Sequence, residues 1–375
     1  MNFLEVFSKI RPLYDEQADT KGGKDYDNSK IYRLLRTEDK NFLSVYCFDY
    51  FLNLRKQEPH SMHDGILDAH PSITRFLRAH LIDWLTHACE VLPKEDCTLP
   101  FIATGMMDRF YKASKVAQPE SEIQLTGLTG LFIASKYFEI TPIFLKQLVS
   151  EMGYDKYTQK QFLDRETLLM STLACEIDPP NVFDFVLVYF KLLRLHTQVL
   201  CGPISKPGLS FLMSAEYYSS EYSKMTLADI TLQSVRPSIL GACAVIFGVN
   251  AAVRHIKYQA VMHTVQGEMA NKVKAGKIRM SEAFDASKVP LDSELSKEIA
   301  YTRQAFRELT SELLKEIPDF SELESFESEV SDRAAYIHHK QGSRLETLFK
   351  SKVVVQLPVI GARLAEMNEE FKGII

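Results

Sequence analysis

The sequence predicts an all-α protein made of two successive helical blocks. Three observations carry that expectation. From Ser72 to about residue 260 apolar residues recur at helical spacing, and no segment alternates convincingly at the strand period. Short breakers at Pro93 to Pro100, QPES (118–121), Pro142, Gly153 and Pro179–Pro180 cut this run into helix-sized pieces. Two segments that are apolar all round carry small residues at one shared spacing: Gly127, Gly130 and Ala134 in the first, Gly241, Ala244 and Gly248 in the second.

Taken in order, residues 1–40 are mixed, and the polar TKGGKDYDNSK stretch makes them a mobile N-terminal segment. Residues 41–71 read as a helix, NFLSVYCFDYFLNLR, followed by the linker EPHSMHDG. Ser72 is the expected cap of the next helix, which places Ile73, Leu77, Leu81, Trp84, Leu85 and Ala88 on one face. A second helix covers about 101–115. A third, with Ser121 as its cap, runs to Phe138; Pro142 opens a short fourth that Gly153 ends. Thr158 starts a fifth, which stops before Pro179. This first block spans 72–178. The second, 179–318, holds an insertion near 261–295 and an amphipathic helix over 296–316; residues 319–375 form a C-terminal extension. A glycine inside a helix costs about 1 kcal/mol relative to alanine. The repeated glycines therefore imply close helix–helix approach and a duplicated central helix.

Composition bounds the function. Hydrophobic residues make up 46% of the 375 and the formal net charge is -5, which points away from nucleic acid as the main partner. The cysteines Cys47, Cys89, Cys97, Cys175, Cys201 and Cys243 are scattered, with no C-x-x-C pair, and read as reduced thiols of a cytoplasmic or nuclear protein. The N-terminal MNFLEVFSKIRPLYDEQ is broken early by charges and does not read as a signal peptide. The apolar run SILGACAVIFGV is shorter than the ~20 residues of a membrane span and reads as a buried helix. His80 and His87 lack a third ligand, and His338 and His339 point apart on a helix, so no metal and no cofactor is assigned. No P-loop, G-x-S-x-G, H-E-x-x-H or kinase signature is present, so the chain is not read as an enzyme.

One residue is odd on its own terms. Phe162, Leu163, Leu169, Met170 and Leu173 share a helical face with Glu166 in their midst. A carboxylate there needs a partner, either within the chain or on another protein. Lys136, at the end of the third helix, reads on its own as a solvated lysine favoured by the helix dipole. Trp84, the one tryptophan, lies in a Leu/Trp stripe that core packing explains as well as a binding site does.

At this point the chain resembles a known family. LRAHLIDWL (77–85), MMDRF (106–110), IQLTGLTGLFIASKYFEI (123–140) and YTQKQFLDRETLLM (157–170) are similar, in order and spacing, to successive helices of the cyclin box. SVRPSILGACAVIFG (234–248) is similar to the central helix of the second cyclin fold. The pattern looks closest to A- and B-type, mitotic-like cyclins. The resemblance implies two tandem cyclin-box folds of about five helices each, with an N-terminal helix and the C-terminal extension. It also implies a regulatory subunit that binds and activates a cyclin-dependent protein kinase and so controls cell-cycle progression. By resemblance Lys136 and Glu166 hydrogen-bond the kinase beside its αC helix, Glu139 is a second acidic contact, and Tyr137, Phe138, Met170 and Ile177 complete the kinase-binding face. Phe138 departs from the acid common at that position. Arg78 and Asp108 match a buried structural ion pair. Leu77, His80, Leu81, Trp84, Ile123 and Gln124 match a shallow patch that docks Arg-x-Leu peptides of substrates or inhibitors, with His80 replacing an aliphatic residue. The alternative is a cyclin-fold transcription adaptor that binds nucleic acid or the general transcription machinery. Neither a net basic charge nor zinc-ribbon cysteines support it.

Overall fold

The computed structural model describes residues 43–58, 65–91, 98–201, 204–264, 295–297, 299–304, 356–360, 362, 363 and 367. These are helical with no strand among them. The expected mobile segment 1–40, most of the insertion near 261–295 and most of the C-terminal extension lie outside the described residues.

The helices in chain order are α1 (Leu43–Gln57), α2 (Arg75–Val91), α3 (Leu99–Ala113), α4 (Ile123–Phe138), α5 (Leu145–Gln147), α6 (Gln159–Thr172), α7 (Val182–Cys201), α8 (Lys206–Ala228) and α9 (Pro237–Thr264). The single turn α5 continues as a π-helical turn, Leu148–Met152. Local chemistry sets some of these ends. Thr158 caps α6 by accepting from the Gln161 N–H, and Ser205 caps α8 by accepting from Gly208. The cap expected at Ser72 is Thr74 instead. Its hydroxyl accepts from the Leu77 N–H, while Ser72 donates to the Gln118 carbonyl across the molecule. Ser121 is not a cap either: it lies in the 3-10 turn Glu120–Glu122, and its carbonyl accepts from the Tyr157 hydroxyl.

Packing follows the small residues. In the first block α4 packs on α2, α3 and α6. A Cβ on Gly127 would stand 3.0 Å from Leu81, and one on Gly130 would stand 3.0 Å from the Ala103 carbonyl oxygen. In the second block α9 packs on α7 and α8. There a Cβ on Gly241 would lie 2.9 Å from Phe185, and one on Gly248 would lie 2.6 Å from the Ala215 carbonyl and the Ser219 N–H. Each central helix thus meets the two preceding helices of its block through its glycines. The run Pro237–Ile256, at mean hydropathy 1.7, is long and apolar enough to cross a membrane, yet 61% of it is buried within the molecule. It is a core helix.

Gly248→Ala is therefore expected to destabilise the fold by about 1–3 kcal/mol, since backbone must move to admit the methyl group. Gly105, on α3, has nothing within 4 Å of its would-be Cβ. Gly105→Ala is expected to stabilise by about 0.5–1 kcal/mol. Urea melts of the two variants check both signs.

The helix α1 belongs to the second block. Phe51 meets Phe185 and Tyr189 at ring-centroid distances of 6.2 and 5.8 Å. Just past the end of α1, the buried Glu58 accepts from the Ser238 N–H at 3.1 Å, from the Ser238 hydroxyl at 3.0 Å and from Arg55 at 2.7 Å. A carboxylate at the start of α9 satisfies free N–H groups and complements the helix dipole.

Candidate functional site

The face of interest is built where the end of α4 meets α6. Lys136 sits in the last turn of α4, its ammonium 4.2 Å from the centre of the Phe132 ring. It donates to Glu166 Oε1 on α6. The carboxylate suspected from sequence therefore has a partner within its own chain. It is not sealed from water: the Lys136 and Glu166 side chains are 38% and 20% exposed. The apolar stripe around Glu166 also divides. Phe162, Leu169 and Leu173 are buried and Met170 is half-buried, but Leu163 is exposed. The inward charged side chain of α6 is Arg165, which holds Gln118 Oε1 at 3.1 Å, pairs with Glu122 and lies over the Phe110 ring. Its three partners make the burial tolerable and leave Glu166 on the rim.

Large apolar side chains stand exposed around the pair. Tyr137 follows Lys136, Leu163 lies one turn before Glu166, and Ile140, beyond the end of α4, is 81% exposed; Phe144 and Leu168 are exposed as well. Glu139 and Phe138 are half-buried, and the Phe138 ring meets Tyr137 edge-on. This concentration of exposed apolar groups is what a protein-binding surface shows.

Beyond α6 the chain turns sharply. Ala174 and Cys175 have φ of +49° and +62°, both in the left-handed region that non-glycine residues rarely adopt. The helix stops before Pro179, as expected: it ends at Thr172 and this turn follows. Arg109, buried on α3, fastens the turn by donating to the Glu176 carbonyl at 2.7 Å and the Ile177 carbonyl at 2.8 Å. That holds the half-buried Ile177 beside Tyr137 and Phe138 along a cleft of about 250 Å³, closed on its other side by Tyr50, Asn53, Leu54 and Gln57 of α1. All seven face residues thus lie on α4, on α6 or in the segments that follow them, Glu139 directly after the end of α4.

Arg78 and Asp108 meet in a bidentate pair, Nε to Oδ1 at 2.8 Å and Nη2 to Oδ2 at 2.5 Å, both side chains buried. Arg78 also donates to the Leu227 carbonyl at 2.9 Å, so the pair ties the first block to the end of α8. The patch residues divide. Leu81 and Ile123 are buried, with Leu81 packed on Gly127, whereas Leu77, His80, Trp84 and Gln124 are half-exposed. His80 contacts the Phe76 ring at 4.0 Å, and Gln124 accepts from Lys156 at 3.1 Å. Core packing accounts for two of the six.

Several buried polar residues escaped the sequence reading. His70 is fully buried between the Tyr111 carbonyl, 2.8 Å from Nε2, and the Gln118 N–H, 3.0 Å from Nδ1. Accepting from that N–H requires the neutral ring protonated at Nε2. Arg109 stands inside the MMDRF run, beside Asp108, and only its position in that run could have flagged it. Burial pushes the Cys47 thiol up to about 12 and raises the Cys243 thiol further, which leaves both protonated core groups. Among the described residues no group of three or more metal-ligating side chains is assembled.

These features define a class: a helical scaffold whose charged and aromatic corner faces outward. Residues 47–178 match the sequence model of the cyclin N-terminal domain. The chain's curated relatives include A-type cyclins. The G2/mitotic-specific cyclin-A of Patella vulgata is 32% identical over 202 residues, 50% of this chain and 45% of that protein. Cyclin-A1 of Homo sapiens is 28% identical over 192 residues, 51% and 39% of the two chains. A G1/S-specific cyclin-E of Hemicentrotus pulcherrimus is 34% identical over 128 residues, 34% and 29% of the two. The chain thus spans less than half the length of the relatives it matches. A solved viral cyclin from herpesvirus saimiri aligns at TM-score 0.45 and 13% identity over 71% of this chain and 99% of that one.

Proposed function

We propose that this chain is a regulatory subunit that binds a cyclin-dependent protein kinase and switches it on in the cell cycle, in the nucleus or the cytoplasm, without itself catalysing a reaction. The observation that carries the reading is the half-open Lys136–Glu166 pair, set among exposed apolar side chains within a cyclin N-terminal domain. A kinase transfers phosphate only when its αC glutamate pairs with its β3 lysine and its activation loop is in place. A rigid surface that binds this arrangement better than the inactive one shifts the population toward it. In that complex Lys136 and Glu166 exchange part of their mutual contact for the kinase backbone. Tyr137, Phe138, Met170 and Ile177 supply apolar area and Glu139 a flanking charge. The interface should exceed the ~1,000 Å² of a stable contact. Arg-x-Leu peptides would dock at Leu77, His80, Trp84 and Gln124, over the floor made by Leu81 and Ile123.

The test is direct. Purified chain is mixed with each of a panel of purified cyclin-dependent kinases, and phosphate transfer to a peptide substrate is measured. At least one kinase should bind and gain activity by more than about tenfold, the order by which an arrangement of this kind shifts a two-state equilibrium. No binding and no stimulation across the panel, with a salt-sensitive shift of DNA instead, would replace this reading by the transcription-adaptor one.

A further inference from the structure

We infer that the groove between α2 and α8 is a binding site for a helix start, and that the chain fills it with its own residues 356–360, 362, 363 and 367 as a strap joining the two blocks. The inference does not depend on the kinase reading. Asp83, on α2, is a buried carboxylate. Its Oδ1 and Oδ2 accept from the Val359 N–H at 3.2 and 3.1 Å, and Oδ1 accepts from the Ile360 N–H at 2.6 Å. Pro358 opens that helical segment and has no N–H of its own, which suits the first helical position. Leu357, just before it, has no side-chain acceptor to cap the next two N–H groups. The missing cap comes from a residue more than 270 positions earlier in the chain.

Apolar and charged contacts hold the rest of the strap. Leu357, Ile360 and Met367 are buried. Arg363 reaches Glu221 Oε2 at 3.4 Å, and Glu221 also pairs with Lys224 at 2.9 Å, so the strap touches α8 as well. Thr86 of α2, Met225 of α8, Val359 and Ile360 line a residual space of about 10 Å³. A buried carboxylate without donors is costly. The groove is therefore built for an occupant that brings free N–H groups and aliphatic side chains together, and residues 357–360 bring both.

The experiment uses the full chain carrying Asp83→Ala or Asp83→Asn. It reads amide hydrogen exchange at Val359 and Ile360 and the rate of tryptic cleavage after Arg363. Loss of a helix cap of this kind corresponds to about tenfold. Asp83→Ala is expected to speed both readouts by at least that factor while amides of α4 and α9 keep their protection. Asp83→Asn, which keeps an acceptor, should fold normally and show a smaller increase. Unchanged exchange and cleavage in both variants would overturn the inference. So would equal acceleration in α4 and α9, because that would make Asp83 a general stability residue and not the anchor of a strap.

Discussion

Arg78→Ala is expected to cost about 3–5 kcal/mol of folding free energy, a large share of the 5–15 kcal/mol typical of a domain. The size follows from what stays behind. Asp108 would be left in a site where its side chain is 1% exposed, with both guanidinium donors gone. The Leu227 carbonyl at the end of α8 would lose its donor too. The junction between the blocks weakens along with the core of the first. An apolar replacement of both partners, Arg78→Met with Asp108→Leu, should recover much of the loss, because a buried pair contributes little beyond satisfying its own members. Denaturant melts of the single and double variants read the difference. A loss below about 1 kcal/mol for Arg78→Ala would show that water or a local shift satisfies Asp108, and the tie between blocks would then be dispensable.

Lys136→Ala combined with Glu166→Ala is expected to abolish kinase capture, weakening it by at least about a hundredfold, while leaving helix content and melting temperature nearly unchanged. Central interface residues of this type contribute about 2 kcal/mol or more each when truncated. Their mutual pair, by contrast, is open enough to water that its share of folding stability is within the ~0–1 kcal/mol of surface pairs. The two readouts therefore separate. Titration against the activated kinase, with circular dichroism on the same samples, checks both. Normal capture by the double variant would remove the α4–α6 corner from the kinase interface and leave the exposed Tyr137, Ile140 and Leu163 as a surface for something else.

The helices were legible because their signal is local. Apolar residues repeat every three to four positions, and breakers such as Gly153 end the segments within the stretch of chain that contains them. The paired glycines were legible for a related reason. A residue that costs helix stability must be repaid by a neighbour, and Gly127, Gly130, Gly241 and Gly248 each stand where another helix leaves no room for a Cβ. The corner itself was legible only in part. Lys136 and Glu166 do come together, but the stripe that made Glu166 look buried places Arg165 inside and Leu163 outside. Ser72 and Ser121 have the chemistry of caps without the geometry: the Ser72 hydroxyl donates to the distant Gln118 carbonyl, and Ser121 lies within the 3-10 turn Glu120–Glu122 that precedes α4.

By itself, then, the sequence determined that the described residues are mostly helical, roughly where the helices of the first block start, which helices are central, and which family the first block resembles. The tertiary structure alone decided how buried polar groups are satisfied. Arg78 reaches Leu227, Glu58 reaches Ser238, Arg109 reaches Ile177, and Asp83 reaches Ile360. The physical reason is range. Burial of apolar surface is non-directional and leaves a periodic trace along the chain, whereas a hydrogen bond needs one partner at one place, and here that partner comes from dozens to hundreds of residues away.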